Sequence, residues 1–280
     1  MQSDTVDDVI GRALAEDLGA GDVTTEAIVP RDLEVTADVV VKSAGVICGT
    51  AELIACVRLL DPDAEIDVRL DDGELVASPP QIAARIHAKA RAVLSAERPG
   101  LNLVQRMSGI ATATRAYVEA VHGTGAEILD TRKTAPGLRA LDKRAVACGG
   151  GRNHRMGLAD AILIKDNHVA IAGGITPAIE AAQKTRPELA VEVEVDDLDQ
   201  LDEALLAGAD TILLDNMHPG LLREAVARTR GRARLEASGG ITLDTVRAVA
   251  ETGVDAISIG ALTHSVTALD VSLEVHPWQS

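Results

Sequence analysis

The chain has 280 residues, enough for one large or two medium domains, and its 46% hydrophobic and 25% charged residues are those of a globular protein. A formal net charge of -16 speaks against a nucleic-acid binder, and no apolar run approaches the roughly 20 residues a bilayer span needs. Cys48, Cys56 and Cys148 show no C-x-x-C spacing, which argues against a disulfide framework or a zinc site and fits a reducing cytosol.

Aromatic residues make up 1% and phenylalanine is absent, so the core is Ala, Val, Leu and Ile. The start of the chain carries Asp4, Asp7 and Asp8 without a basic segment and does not read as a signal peptide. Asp and Glu number 43 against 27 Lys and Arg. Such a surface fits a chain adapted to high salt, where screening relieves self-repulsion, and fits an ordinary acidic cytosolic protein equally well.

Residues 5–18 predict a first helix with Val6, Ile10, Ala13 and Leu14 on one face. Gly19-Ala20-Gly21-Asp22 stops it, with Asp17 and Asp22 as cap or turn residues. Residues 35–41 and 46–48 predict a hairpin about Ser43-Ala44-Gly45. Residues 51–60 predict a helix, and 66–70 and 82–87 predict strands beside the turn Asp71-Asp72-Gly73. Strands with helices on one face make an α+β layer. A long helix is expected over 90–122. Pro99 removes a backbone hydrogen bond, so Pro99-Gly100 should kink the helix or restart it at Arg98. Ser108-Gly109 marks a boundary between an N-terminal layer domain, 1–107, and a second domain, 108–280.

From Gly125 the pattern becomes regular. Strands are expected at 127–129, 161–165, 190–195, 211–215, 234–237 and 256–260. Helices are expected between them, at 138–148, 176–185, 198–207, 220–229 and 243–252. Apolar strands alternating with amphipathic helices predict parallel βα units, and their number suits a complete or short barrel. No G-x-G-x-x-G opens the series, so a dinucleotide fold is disfavoured.

The strand ends carry Asp130-Thr131-Arg132-Lys133, Lys165-Asp166-Asn167-His168, Glu192 and Glu194, Asp215-Asn216, Ser238-Gly239-Gly240 and Gly260-Ala261. In a β/α barrel these ends converge on one face. Cations at Arg132, Lys133, His154, Arg155 and Lys165, in an acidic chain, suggest a site for a polyanionic small molecule. Alternation puts Glu192 and Glu194 on one side of their strand, where a buried pair needs cations or a metal. The glycine-rich ends offer free N–H groups to a phosphate. His168 and His264 read as loop hydrogen-bonders, and Arg139, Arg144 and Arg152 as exposed partners of acids. A Schiff-base lyase using Lys165 and a non-catalytic anion sensor remain open on the residues alone.

EDLGAGDVTT, AERPGLNLVQRMSGIAT, DTRKTAPGLR, GGGRNHRMGLADAILIKDNH, VEVEV, LLDN, EASGGI and IGALTHS together resemble quinolinate phosphoribosyltransferase over nearly the whole chain. The resemblance implies an α/β fold, with an N-terminal α+β layer domain followed by an incomplete, TIM-like α/β barrel. It implies transfer of phosphoribose from phosphoribosyl pyrophosphate to quinolinate with decarboxylation, Mg²⁺ as cofactor, and a place in de novo NAD synthesis, while the cysteine usage gives the expected cytoplasmic location. It implies a homodimer with shared sites, a higher oligomer being left open. Lys165, Glu194 and Asp215 would be catalytic. Arg132, His154, Arg155 and Lys165 would hold quinolinate, with Arg98 coming from the partner, Lys133 would face quinolinate or the pyrophosphate, and Thr131 would also bind substrate. Glu194 and Asp215 would face the ribose and Mg²⁺, and Ser238, Gly239, Gly240, Gly260 and Ala261 the 5′-phosphate, with Ile259 a further substrate-binding residue.

Overall fold

The computed structural model describes residues 6–277, so the expected helix start at Thr5 lies outside them. In chain order the elements are α1 (Val6–Leu18), α2 (Val23–Ile28), β1 (Glu34–Val41), β2 (Gly45–Val46), α3 (Thr50–Leu60) and β3 (Glu65–Val68). Then come β4 (Leu75–Val76), β5 (Gln81–Lys89), α4 (Ala90–Ala120), β6 (Glu127–Leu129), α5 (Arg139–Cys148) and β7 (Ile162–Ile164). Next are α6 (Asp166–Ala172), α7 (Ile175–Thr185), β8 (Val191–Val195), α8 (Leu198–Leu206), β9 (Thr211–Asp215) and α9 (Pro219–Thr229). The last are β10 (Arg234–Ser238), α10 (Leu243–Ala250), β11 (Ala256–Ser258), α11 (Ala261–His264) and β12 (Val271–Pro277). Contacts divide the chain into two units. One holds the residues up to 115, 134–150 and those from 263 on; the other holds 116–133 and 151–262.

The first unit is the expected α+β layer. Its sheet runs β12-β1-β5-β3 and is antiparallel. The predicted hairpin does not form: β1 pairs with β5 and β12, and β2 pairs with β4. Period-2 alternation identifies a strand but not its partner. The cross-strand pair Asp38 and Arg85 explains an acid inside β1. The Arg85 guanidinium donates to both carboxylate oxygens at 2.7 and 2.8 Å, and this holds the nearly buried Asp38 below the usual carboxylate range. Asp22 caps α2 as expected, accepting the Thr25 N–H at 3.0 Å.

Helix α4 decides between the two expected outcomes in one respect. It continues through Pro99-Gly100 instead of restarting at Arg98. Both residues are buried. At Gly100 an added Cβ would lie 2.8 Å from Leu53 Cγ and 3.2 Å from Leu53 Cα on α3. The missing side chain lets the two helices approach closely, and that packing outweighs the lost proline hydrogen bond. Farther along, Arg106 forms a two-pronged pair with the fully buried Asp142 of α5, each bond 2.8 Å.

The second unit is the incomplete barrel. Six parallel strands run β6-β11-β10-β9-β8-β7, so β6 and β7, neighbours in sequence, are the two free edges. Arg152 adds a short parallel bridge to Leu129 on the β6 edge. The strands lie within a few residues of their predicted bounds. Lys165, expected to end a strand, instead precedes α6, which the sequence pattern did not reveal.

Candidate active site

Alternation along the barrel strands decides which side chains meet. On β8, Val191, Val193 and Val195 are fully buried, while Glu192 and Glu194 take the opposite face. The register sets Glu194 beside Leu213 on β9, Leu213 beside Glu236 on β10, and Asp215 beside Ser238. These residues line one cavity of about 500 Å³ together with Thr131, Arg132, Lys133, His154, Arg155, Leu163, Lys165, Asn216, Gly239, Gly240 and Ser258. Such a volume suits a small molecule. Apart from His154 and Arg155, which stand between α5 and β7, the lining residues lie along the strands and just past their C-terminal ends, the face where barrel enzymes keep their sites.

Most of the residues lining the cavity are polar or charged. Lys165 is ion-paired with Glu194, and its backbone N–H donates to His168 Nδ1 at 2.9 Å, which fixes the start of α6. Arg155 donates to the Ala161 carbonyl at 3.1 Å. Burial, and then the repulsion of Arg132, holds Arg155 below the ordinary arginine range. The Nε atoms of Arg132 and Arg155 are both buried and meet no hydrogen-bond partner among the described residues. Two like charges with unused donors make a seat for an anion.

Behind them, His154 Nε2 lies 3.0 Å from Glu192 and 3.7 Å from Glu236. The His154 backbone N–H is fixed by Asp130, itself fully buried, at 2.8 Å. Glu236, 2% exposed, has its carboxyl pushed up to about 7 by burial and then by the nearby Glu192. Sequence reasoning had left Glu236 out. The signal was there: it stands two residues before Ser238 on one strand, so both face the cavity.

At the glycine-rich end of the cavity, Gly239 has φ +97, and an added Cβ would fall 2.2 Å from Asn216 Oδ1. Only glycine fits there. Asn216 in turn has φ 54 and donates its backbone N–H to the Ser238 carbonyl at 2.9 Å. Ile259, Gly260 and Ala261 do not line the cavity. Ile259 is 1% exposed and follows Ser258, so alternation turns it to the opposite face. Arg98 belongs to the first unit, where its side chain is 59% exposed and lies 3.9 Å from Glu97. His264 Nδ1 meets Ser265 Oγ at 2.7 Å. The expected acid partners are found for Arg144, with Glu52 and Asp72, and for Arg152, with Glu127. Arg139 donates to Thr134 at 3.1 Å.

Comparison with known proteins settles the family. The model of the quinolinate phosphoribosyl transferase N-terminal domain matches residues 22–108, and that of the C-terminal domain matches residues 110–274. The chain belongs to the quinolinate phosphoribosyltransferase family. It is 48% identical to nicotinate-nucleotide pyrophosphorylase [carboxylating] of Mycobacterium leprae, over 97% of this chain and 98% of that one. It is 44% identical to the probable enzyme of that name from Bacillus subtilis, over 93% and 90% of the two chains. The nicotinate-nucleotide pyrophosphorylase structure from Francisella tularensis superposes with a TM-score of 0.94 at 39% identity, covering 99% of this chain and 98% of that one. The quinolinate phosphoribosyltransferase fold thus accounts for both units. No helix among the described residues is long and apolar enough to cross a membrane.

Proposed function

We propose that the cavity joins quinolinate to phosphoribosyl pyrophosphate and releases carbon dioxide, giving nicotinate mononucleotide and pyrophosphate for de novo NAD synthesis. The observation that carries this reading is the half-buried pair Arg132 and Arg155, each with a buried, unused Nε donor. Quinolinate brings two adjacent carboxylates, which guanidiniums meet in a forked geometry. His154, Thr131 and Lys165 complete the quinolinate seat, and Lys133 faces quinolinate or the pyrophosphate. Ser238, Gly239 and Gly240 take the 5′-phosphate, with Ile259, Gly260 and Ala261 at the next strand end.

The quinolinate nitrogen attacks the anomeric carbon as pyrophosphate departs, and the sugar becomes cation-like. Glu194 and Asp215 stabilise that charge from neighbouring strands. The carboxylate beside the quaternised nitrogen then leaves as carbon dioxide. Its bonding electrons stay on that ring carbon, stabilised by the adjacent quaternised nitrogen, and the carbon then takes a proton from water, so no Schiff base is needed. The Lys165 side chain is engaged by Glu194, which gives it a binding role in place of a free amine's. The carboxylates of Glu194 and Asp215, placed on one face by the β8–β9 register, are hard oxygen donors that fit Mg²⁺. Mg²⁺, when bound, neutralises the departing pyrophosphate.

The site is shared in a homodimer, with Arg98 of the partner subunit closing it; the exposure of Arg98 and the family resemblance support this. Three free cysteines suit a reducing cytosol. Incubation with quinolinate, phosphoribosyl pyrophosphate and Mg²⁺ should yield nicotinate mononucleotide and carbon dioxide in equal amounts; no product under these conditions overturns the reading. Mixing Arg98→Ala chains with Lys165→Ala chains, each inactive alone, should restore about a quarter of wild-type activity after random re-assortment. Heterodimers that form without regaining activity would rule out the shared site.

A further inference from the structure

The first unit holds a side-chain cluster that this reaction leaves without a task. The Sγ atoms of Cys48 and Cys148 and a carboxylate oxygen of Asp72 all lie within 4.8 Å of one another. The two cysteines are far apart in sequence, which is why spacing alone gave no hint of the pair. Cys48 is fully buried, Cys148 is half-buried at the end of α5, and both are free thiols. The backbone of Cys48 is pinned. Its N–H donates to Ser108 Oγ at 2.9 Å, and its carbonyl accepts from the same hydroxyl at 3.0 Å. Asp72 accepts the Gly49 N–H at 3.0 Å and Arg144 at 3.1 Å, and Arg144 also meets Glu52 at 2.5 Å.

We propose that Cys48 and Cys148 form a peroxide-oxidisable pair that closes to a reversible disulfide. The alternative for two thiols and a carboxylate is a metal ion, since this donor set suits Zn²⁺. Arg144 decides against it. Its guanidinium already occupies Asp72 and would repel a divalent cation beside the sulfurs. The same cation favours a thiolate. The thiol of Cys148 is held below the ordinary range by its hydrogen bond with Cys48, which outweighs burial and the Asp72 carboxylate, with Arg144 lowering it less, whereas that same hydrogen bond, and then burial, push Cys48 up. The half-exposed sulfur is therefore the one prepared to react first, and the buried one is the resolving thiol.

The Cys148 thiolate attacks hydrogen peroxide, the O–O bond breaks, and a sulfenic acid and hydroxide form. Cys48 sulfur then attacks the sulfenic sulfur, the S–O bond breaks, and the proton of Cys48 leaves with the oxygen as water. Two thiols and one peroxide give one disulfide and two waters, the sulfurs losing two electrons to the peroxide. The sulfurs must close to about 2.05 Å. With Cys48 pinned by Ser108, that movement falls on Cys148. The disulfide spares Cys148 from irreversible oxidation to sulfinic acid, and reducing thiols restore the pair.

The test is peroxide titration of the full chain, followed by alkylation and peptide mapping. Two of the three thiols per chain should disappear together as a Cys48–Cys148 cross-link that dithiothreitol reverses. The Tm of the oxidised protein should rise by roughly 5 °C, because the bond closes a loop of about 100 residues. Cys56→Ser should behave as wild type. Cys48→Ser, and as a milder control Cys148→Ser at the half-exposed position, should lose the cross-link, and only Cys48→Ser should accumulate sulfinic acid at Cys148. Wild-type Cys148 over-oxidised beside a free Cys48, or a cross-link through Cys56, overturns the proposal. So does uptake of one Zn²⁺ per chain that Cys148→Ser abolishes.

Discussion

Two guanidiniums held in one cavity repel each other, and the burial of Arg155 adds to that cost. Arg132→Ala relieves the repulsion while removing half of the carboxylate seat. Its kcat/KM for quinolinate should fall by about 2–5 kcal/mol, or roughly 30- to 5,000-fold, with Tm unchanged or slightly higher. Near-normal turnover would remove Arg132 from the site. Glu236 supplies a pH signature. Its carboxyl titrates near 7 in the fold, against 4.5 ordinarily. Between those values the native state keeps a proton that the unfolded chain has lost. Stability present below pH 4.5 is therefore lost as pH rises through 7, by up to about 3 kcal/mol. Glu236→Gln carries no such charge, so its Tm advantage over wild type should grow from pH 5 to pH 8. A constant difference would mean that Glu236 titrates as an ordinary carboxyl. Arg132, Lys133 and Lys165 were legible because each follows an apolar run in an acidic chain, and His154 and Arg155 because they crowd the same stretch. Glu236 was not, because its weight comes from register and burial, which set it against His154 and Glu192.

Among the elements, the barrel strands and their order of helices were readable from apolar periodicity, since each strand is buried and each helix one-sided. The first unit was less so. Its short strands β2 and β4 have two residues each, and β12 pairs with a strand at the other end of the chain. Pro99-Gly100 read as a breaker because propensity was judged without the neighbouring α3. Gly100→Ala separates the two effects. Alanine gains about 1 kcal/mol of helix propensity. Its Cβ, however, would meet Leu53 Cγ at 2.8 Å and the less movable Leu53 Cα at 3.2 Å. Overpacking of this kind costs about 1–3 kcal/mol, so Tm should fall. A rise in Tm would show that α3 yields easily and that close approach is not why glycine stands there.

For the molecule as a whole, the charge of -16 is a store of self-repulsion that salt relieves. Tm should increase from low salt to molar KCl. A flat or falling response would leave an ordinary acidic protein and would not touch the assignment of the cavity. The pairing of β1 with β12 has a consequence in time. The barrel unit ends at residue 262, so all its strands exist before synthesis is complete. The layer's sheet, although it begins at Glu34, has no partner for one side of β1 until Val271–Pro277 has been made. At typical rates of chain growth that is a delay of roughly 10–50 s. For that interval the nascent chain carries an open edge at β1, a place where another strand, from a chaperone or from a second nascent chain on the same message, could pair in place of its own terminus.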